Sequence, residues 1–278
     1  MRVLHIGPVT TEKRRVKVLS LGAGVQSSAL ALAFERRERG FENPPDFAVF
    51  ADTQAEPKEV YDFLKKLQSI ITKFPIYVAT AGDLGEAPHK IPFFIRHLDG
   101  KRGMGWRQCT NEYKIQVVNK EIRRVLGYIP RQRWKHTVET VLGISTDEIQ
   151  RMKDAREKWK VHSFPLIDNK WSRRDCLDYL KQFDLTPPRS ACIFCPYKTK
   201  GEWKHMRDHF PEEFEKACQY DESIRHTEVR MGGSTAKVEQ FVSYDLLPLR
   251  EVNLNTRADK KKEFALGMQN ECEGMCGV

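Results

Sequence analysis

The chain has 278 residues, with 47 Lys and Arg against 38 Asp and Glu for a net charge of +9, and is 40% hydrophobic and 31% charged. That length supports one large domain or two small ones, and the composition excludes disordered, collagen-like and coiled-coil chains. No run approaches the roughly 18 apolar residues of a membrane span, and Arg, His, Glu and Lys interrupt the N-terminal stretch where a secretory signal needs apolar residues, so no membrane partner and a cytoplasmic location are expected. Seven cysteines in such a chain point to metal, catalysis or burial rather than to disulfides.

Val16–Leu21 is an aliphatic, β-branched run, followed by Gly22 and Gly24 and then by Ala29–Phe34, apolar at helical spacing. The pattern predicts strand, turn and helix. Asp46–Ala51 predicts a second strand ending at Asp52 and Thr53. Pro57 stands where a helix N1 proline would, before Val60, Phe63, Leu64 and Leu67. Ile76–Ala79 is a third run. Residues 81–107 read as a long loop or lid, 111–126 as a helix, 138–144 as a strand and 147–157 as a helix, with Ser172 capping another to about Phe183. Strands alternating with helices predict an α/β fold: a mostly parallel sheet with helices on both faces, over 1–185, followed by a cysteine-bearing extension over 186–278. Ligands on such sheets bind beyond the carboxyl ends of the strands, where residues 22–28 and Asp52-Thr53 fall.

The segment Ser20-Leu-Gly22-Ala-Gly24-Val-Gln26-Ser27-Ser28 joins a strand to a helix N-terminus. Outward backbone N–H groups, the helix dipole and two hydroxyls suit a phosphate, although a serine-capped tight turn has the same composition. No Lys follows in the Walker A position. Cys192-Ile-Phe-Cys195, between Pro187-Pro188 and Pro196, has the spacing of a two-cysteine metal knuckle, and equally of a redox dithiol. Cys109 lies between Arg107 and Lys114, which favour its thiolate. Cys176 and Cys218 sit inside helical patterns and are expected in the core.

These segments resemble the phosphoadenosine phosphosulfate (PAPS) reductase branch of the PP-loop, adenine nucleotide α-hydrolase-like (HUP-like) superfamily. Residues 20–28 are similar to its S-G-G-x-D-S loop, and Asp52-Thr53 to its D-T motif. Arg107-Gln-Cys109-Thr-Asn-Glu-Tyr-Lys114 resembles R-x-C-x-x-x-K with the lysine one place late, and Gly143 to Arg151 resembles G-x-R-x-x-E-S-x-x-R with Ser145 in place of arginine. Pro165-Leu166, Trp171-Ser172 and Cys192-x-x-Cys195 follow in the family's order. Gln26 replaces the loop aspartate usual in enzymes that split ATP to AMP and pyrophosphate, and Gly-Val-Gln is closer to the form of some sulfonucleotide reductases.

The resemblance implies that Ser20, Gly22, Gly24, Gln26, Ser27, Ser28, Asp52 and Thr53 hold an adenine nucleotide, and that Arg107, Lys114 and Arg151 hold a phosphosulfate. It also implies that Cys109, Cys192 and Cys195 are ligands of a [4Fe–4S] cluster. The family's cluster enzymes have an adjacent Cys-Cys pair, whereas Cys109 is flanked by Gln108 and Thr110, so three ligands are matched. A tail cysteine, a small exogenous ligand or sulfide would complete the set; zinc and no metal are the alternatives. Glu271-Cys272-Glu273-Gly274-Met275-Cys276 resembles the E-C-G ending that carries the reductases' nucleophile, which makes Cys272 or Cys276 the catalytic candidate. The expected reaction is reduction of PAPS or APS to sulfite, with thioredoxin or glutaredoxin as reductant. ATP-dependent sulfur transfer to tRNA or DNA is the second reading, and a nucleotide-binding cluster sensor the third. Two basic stretches, Arg131 to His136 around Trp134 and Lys260 to Lys262, suit nucleic acid or plain solubility. His162, His205 and His209 have no ligand spacing.

Overall fold

The computed structural model describes residues 15–131, 136–226, 229–231, 234–236 and 238–255. In chain order the elements are β1 (Arg15–Leu21), α1 (Val25–Arg36), β2 (Phe47–Asp52), α2 (Lys58–Ile70), β3 (Ile76–Thr80), β4 (Phe94–Arg96) and β5 (Arg102–Met104). They continue with α3 (Gln116–Val125), β6 (Thr137–Val141), β7 (Lys160–Ser163), α4 (Pro165–Asp168), α5 (Arg173–Lys181), α6 (Lys200–His209), α7 (Pro211–Ser223), β8 (Val229–Met231), β9 (Ser234–Ala236) and β10 (Glu239–Phe241).

The main sheet has five strands in the order β3-β2-β1-β6-β7, all parallel. Alternation along its central strands divides the core. Leu19, Leu21, Ala48 and Phe50 face α1, α2 and α5, while Val16, Val18, Phe47 and Val49 face Val117, Val118 and Ile122 of α3. Helices on both faces of a parallel sheet are the expected α/β architecture. Helix α1 is buried along almost its whole length because Ala29–Phe34 fills the space between sheet and α5. Burying a side chain such as Leu30 or Phe34 contributes about 1.5–3 kcal/mol. Cys176 and Cys218 are fully buried, as their patterns predict. Among the described residues no helix is long and apolar enough to cross a membrane.

Strand order reverses at β1, whose successor β2 lies on one side and β6 on the other. The crevice beyond the carboxyl ends of β1 and β6 is therefore where such a sheet binds ligands.

Three local expectations are corrected. Residues 81–107 are not a structureless loop. They contain two short 3₁₀ turns and the antiparallel pair β4–β5, to which β10 adds as a third strand. The helix expected over 147–157 is a 3₁₀ stretch, Thr146–Arg151, broken at Glu148 (φ −118°, ψ 24°). Asp147 there accepts the Arg173 backbone N–H at 2.8 Å, and Glu148 is drawn to Gln26 and Arg151. Tertiary bonds thus override the local pattern. The helix expected from Asn111 begins as a π turn, Asn111–Ile115, before α3.

Candidate active site

Two clusters sit at the carboxyl end of the sheet. The first is the loop between β1 and α1. Gly22 N–H donates to Ser27 Oγ (3.2 Å), and Ser27 Oγ donates to the Gly24 carbonyl (3.4 Å), so Ser27 closes the loop on itself. The left-handed residue is Ala23 (φ 55°), while Gly24 caps α1 at φ −88°. The Gly24 backbone is thus open to any residue. Ser28 Oγ is buried with no hydrogen-bond partner in the first turn of α1, where the helix N-terminus favours an anion's oxygen.

Gln26 ties this loop to two other segments. Its Nε2 donates to Glu148 Oε2 (3.2 Å) and reaches Ser145 Oγ (3.5 Å), and its Oε1 accepts from Arg173 Nη1 (3.1 Å). Glu148 Oε1 pairs with Arg151 (2.6 Å). Gln26, Ser145 and Glu148 are all buried. Gln26 therefore braces the loop, and Arg151 belongs to this cluster.

The second cluster surrounds a cavity of about 20 Å³ lined by Thr53, Glu56, Arg107, Cys109, Lys114, Cys192, Cys195 and Tyr197, among others. Local turns place these groups. Asp52 Oδ1 accepts from Gln54 N–H and Tyr61 Oη, both at 2.8 Å, and Thr53 Oγ1 donates to Glu56 Oε1 (3.2 Å). Ile193 N–H donates to the Ala55 carbonyl (2.8 Å), which docks the cysteine loop on the end of β2. Phe194 stacks on Tyr220 with centroids 4.0 Å apart. The Arg107 guanidinium lies over the Tyr197 ring at 4.9 Å. Lys114 is 7% exposed and pairs at 3.5 Å with Glu56, 1% exposed, whose other oxygen has no hydrogen-bond partner.

The three cysteines that the resemblance groups as ligands thus line one cavity, together with Arg107, Lys114 and Thr53, whereas Arg151 lies in the other cluster. A hydrogen bond with the Cys195 thiol, burial, and the charges of Cys195, Glu56 and Cys109 push the Cys192 thiol well above the ordinary range. By donor chemistry, three thiols suit a soft metal or an iron–sulfur cluster. By space, about 20 Å³ admits roughly one water. Among the described residues no group of three or more His, Cys, Asp or Glu side chains is arranged to hold a metal ion. Cys109, Cys192 and Cys195 are the residues that would hold such a metal or cluster. Cys272 and Cys276, Arg133 to Lys135 and Lys260 to Lys262 lie outside the described residues.

Glu56, Arg173 and Tyr197 were not singled out by sequence. Glu56 follows Asp52-Thr53 closely enough to have been a candidate, but nothing local marks it as buried.

No family model and no curated protein matches the chain. Among solved structures, it is similar to the crystal structure of a phosphoadenylyl-sulfate (PAPS) reductase from Candida auris in complex with phosphate. The two share 14% identity at a TM-score of 0.39, over 63% of this chain and 75% of that one.

Proposed function

We propose that the protein is an adenine-nucleotide-dependent enzyme of sulfur chemistry, and that it reduces a sulfonucleotide. The observation that carries this reading is the cavity: thiols from two distant segments share it with Thr53, Arg107 and Lys114, at the sheet edge that also presents the loop of residues 22–28. The loop and Ser28 bind nucleotide phosphate. Arg107 meets the sulfonate at the cavity mouth, and Lys114 and Arg151 contribute where an anion's oxygens compete with Glu56 and Glu148.

In the proposed reaction a thiolate, assigned to Cys272 or Cys276, attacks the sulfonate sulfur. A sulfur–sulfur bond forms, the bond from that sulfur to the phosphate oxygen breaks, and the electron pair leaves with the nucleotide. A second thiolate then attacks the modified cysteine, sulfite departs with its electron pair, and a disulfide remains. A dithiol protein such as thioredoxin or glutaredoxin returns the two electrons.

A second reading, ATP-dependent sulfur transfer to tRNA or DNA, is favoured by exposed Trp106, the chain neighbour of Arg107 in the cavity lining. The deciding assay offers PAPS and APS with a dithiol reductant and follows sulfite. Sulfite release is expected. Consumption of neither, with ATP cleaved to AMP and pyrophosphate when tRNA is added, would replace the first reading by the second.

A further inference from the structure

We infer that the outer face of the three-stranded sheet β10-β4-β5 binds single-stranded nucleic acid and leads it to the cysteine cavity. Register defines the face. Phe94 pairs with Met104 and Phe241, and Arg96 with Arg102 and Glu239, so these residues share one side, on which Phe241 is itself buried beneath Arg96 and Arg225, while Ile95 and Gln240 between them are buried on the other.

Aromatic rings and guanidiniums interleave on this face. Tyr244 meets Phe94 edge-on at 5.5 Å, and the Arg102 guanidinium lies 4.7 Å from the Tyr244 ring and donates to the Tyr244 carbonyl. Arg96 covers Phe241 at 4.9 Å. The strip continues inward: Tyr197 Oη donates to Met104 Sδ at 3.8 Å, and Arg107 stacks on Tyr197, both of which line the cavity. Three of the most exposed large apolar side chains border the strip, Leu98 (88%), Trp106 (77%) and Tyr244 (66%).

Charge selects the occupant. Asp99 pairs with Lys101, Glu239 with Arg96, and Asp245 with Lys200, while Arg102 lies against the Tyr244 ring. The balance is positive, in a chain of net charge +9. A second copy docked about a two-fold axis would bring this positive face against itself. A single strand instead offers bases to stack on Trp106 and Tyr244 and phosphates for Arg102 and Lys101, the arrangement that binds strands with little sequence preference. The inference rests on the second reading, sulfur transfer to a nucleic acid, only for where the strand leads; binding itself is independent of both readings.

The test is fluorescence anisotropy with labelled oligo-dT and oligo-U of about 20 nucleotides, beside a duplex of equal length. Single strands are expected to bind better than the duplex, with affinity falling steeply as salt rises. Trp106→Ala should weaken binding by about tenfold and Arg102→Glu by at least as much, with a shallower salt slope. Both variants should keep the wild-type thermal shift with ATP or APS. No strand binding, or unchanged affinity in both variants, would overturn the inference while leaving the nucleotide reading intact. Strand binding without any nucleotide shift would overturn the nucleotide reading alone. Sedimentation showing a wild-type dimer abolished by Trp106→Glu would assign the face to a second copy and overturn the inference as well.

Discussion

Gln26 and Glu148 meet at 3.2 Å, amide to carboxylate, and the same amide accepts from Arg173 at 3.1 Å. One neutral side chain thus joins the nucleotide loop to the crossover after β6 and to the start of α5. A carboxylate at position 26 would face Glu148 with no donor between them. Gln26→Glu is therefore expected to destabilise the protein by about 1–3 kcal/mol and to weaken the thermal shift with ATP or APS. In Gln26→Glu/Glu148→Gln the amide and carboxylate trade places, each still opposite a guanidinium, and most of the loss should be recovered. Urea unfolding of the four proteins checks this; additive losses would mean that the two side chains do not interact.

The Glu56–Lys114 pair is expected to be coupled as well. Removing the ammonium with Lys114→Met leaves a buried carboxylate uncompensated, at a cost of about 3–5 kcal/mol. Glu56→Gln in the same chain removes the charge that needed it and should recover most of that. Equilibrium unfolding reads the difference, and a double variant as unstable as the single one would show that Lys114 stabilises by packing.

The raised Cys192 pKa gives a pH dependence with a definite sign. Its causes, in order, are the hydrogen bond with Cys195, burial, and neighbouring negative charge that includes Glu56. In reduced, metal-free protein, alkylation by iodoacetamide at pH 7 should be slower at Cys192 than at partly exposed Cys109, and its rate should still climb above about pH 8.5, where an ordinary thiol is half ionised. Glu56→Gln should lower the apparent pKa. Linkage runs the same way. Above about pH 8.5 the unfolded thiol loses its proton while the folded one keeps it, so this group's contribution to stability falls as pH rises. Peptide mass mapping against pH reads the rates, and a Cys192 profile matching an exposed thiol would contradict the burial argument.

What sequence could and could not reveal follows from where each signal resides. Val16–Leu21 and Ala29–Phe34 are legible because burial on both faces of a central strand and along almost the whole of α1 writes contiguous apolar runs. The three-residue strands β4, β5 and β10 are too short to write one. Strand β7, Lys-Val-His-Ser at the sheet edge, carries polar residues because only one neighbour covers it. Asp147 and Glu148 carry helical composition, yet besides the local Arg151 their carboxylates are claimed by Arg173 and Gln26, distant partners that no window around residue 147 contains. The cavity was half legible in the same sense. Cysteines announce themselves by type and spacing, whereas Glu56 acquires its place through contacts with Thr53 and the distant Lys114.

Glu35, near the end of α1, supplies an acid-range prediction away from the site. It accepts from the backbone N–H groups of Thr72 (2.9 Å) and Lys73 (2.8 Å) and from Thr72 Oγ1 (2.7 Å), and so fixes the turn that leads from α2 to β3. Burial alone would raise its pKa, but these donors, with the Lys73 ammonium, outweigh burial and hold it below the ordinary value of 4.5. Because the folded value lies below the unfolded one, the stabilisation is full above about pH 4.5 and is lost as pH falls through the folded value. An amide of the same shape cannot accept from all three donors as a charged carboxylate does. Glu35→Gln is expected to cost about 1.5–3 kcal/mol at pH 7, with wild type and variant converging at acid pH below the folded value. Unfolding curves at neutral and acid pH decide it, since a difference independent of pH would mean that the charge on Glu35 contributes nothing to the turn.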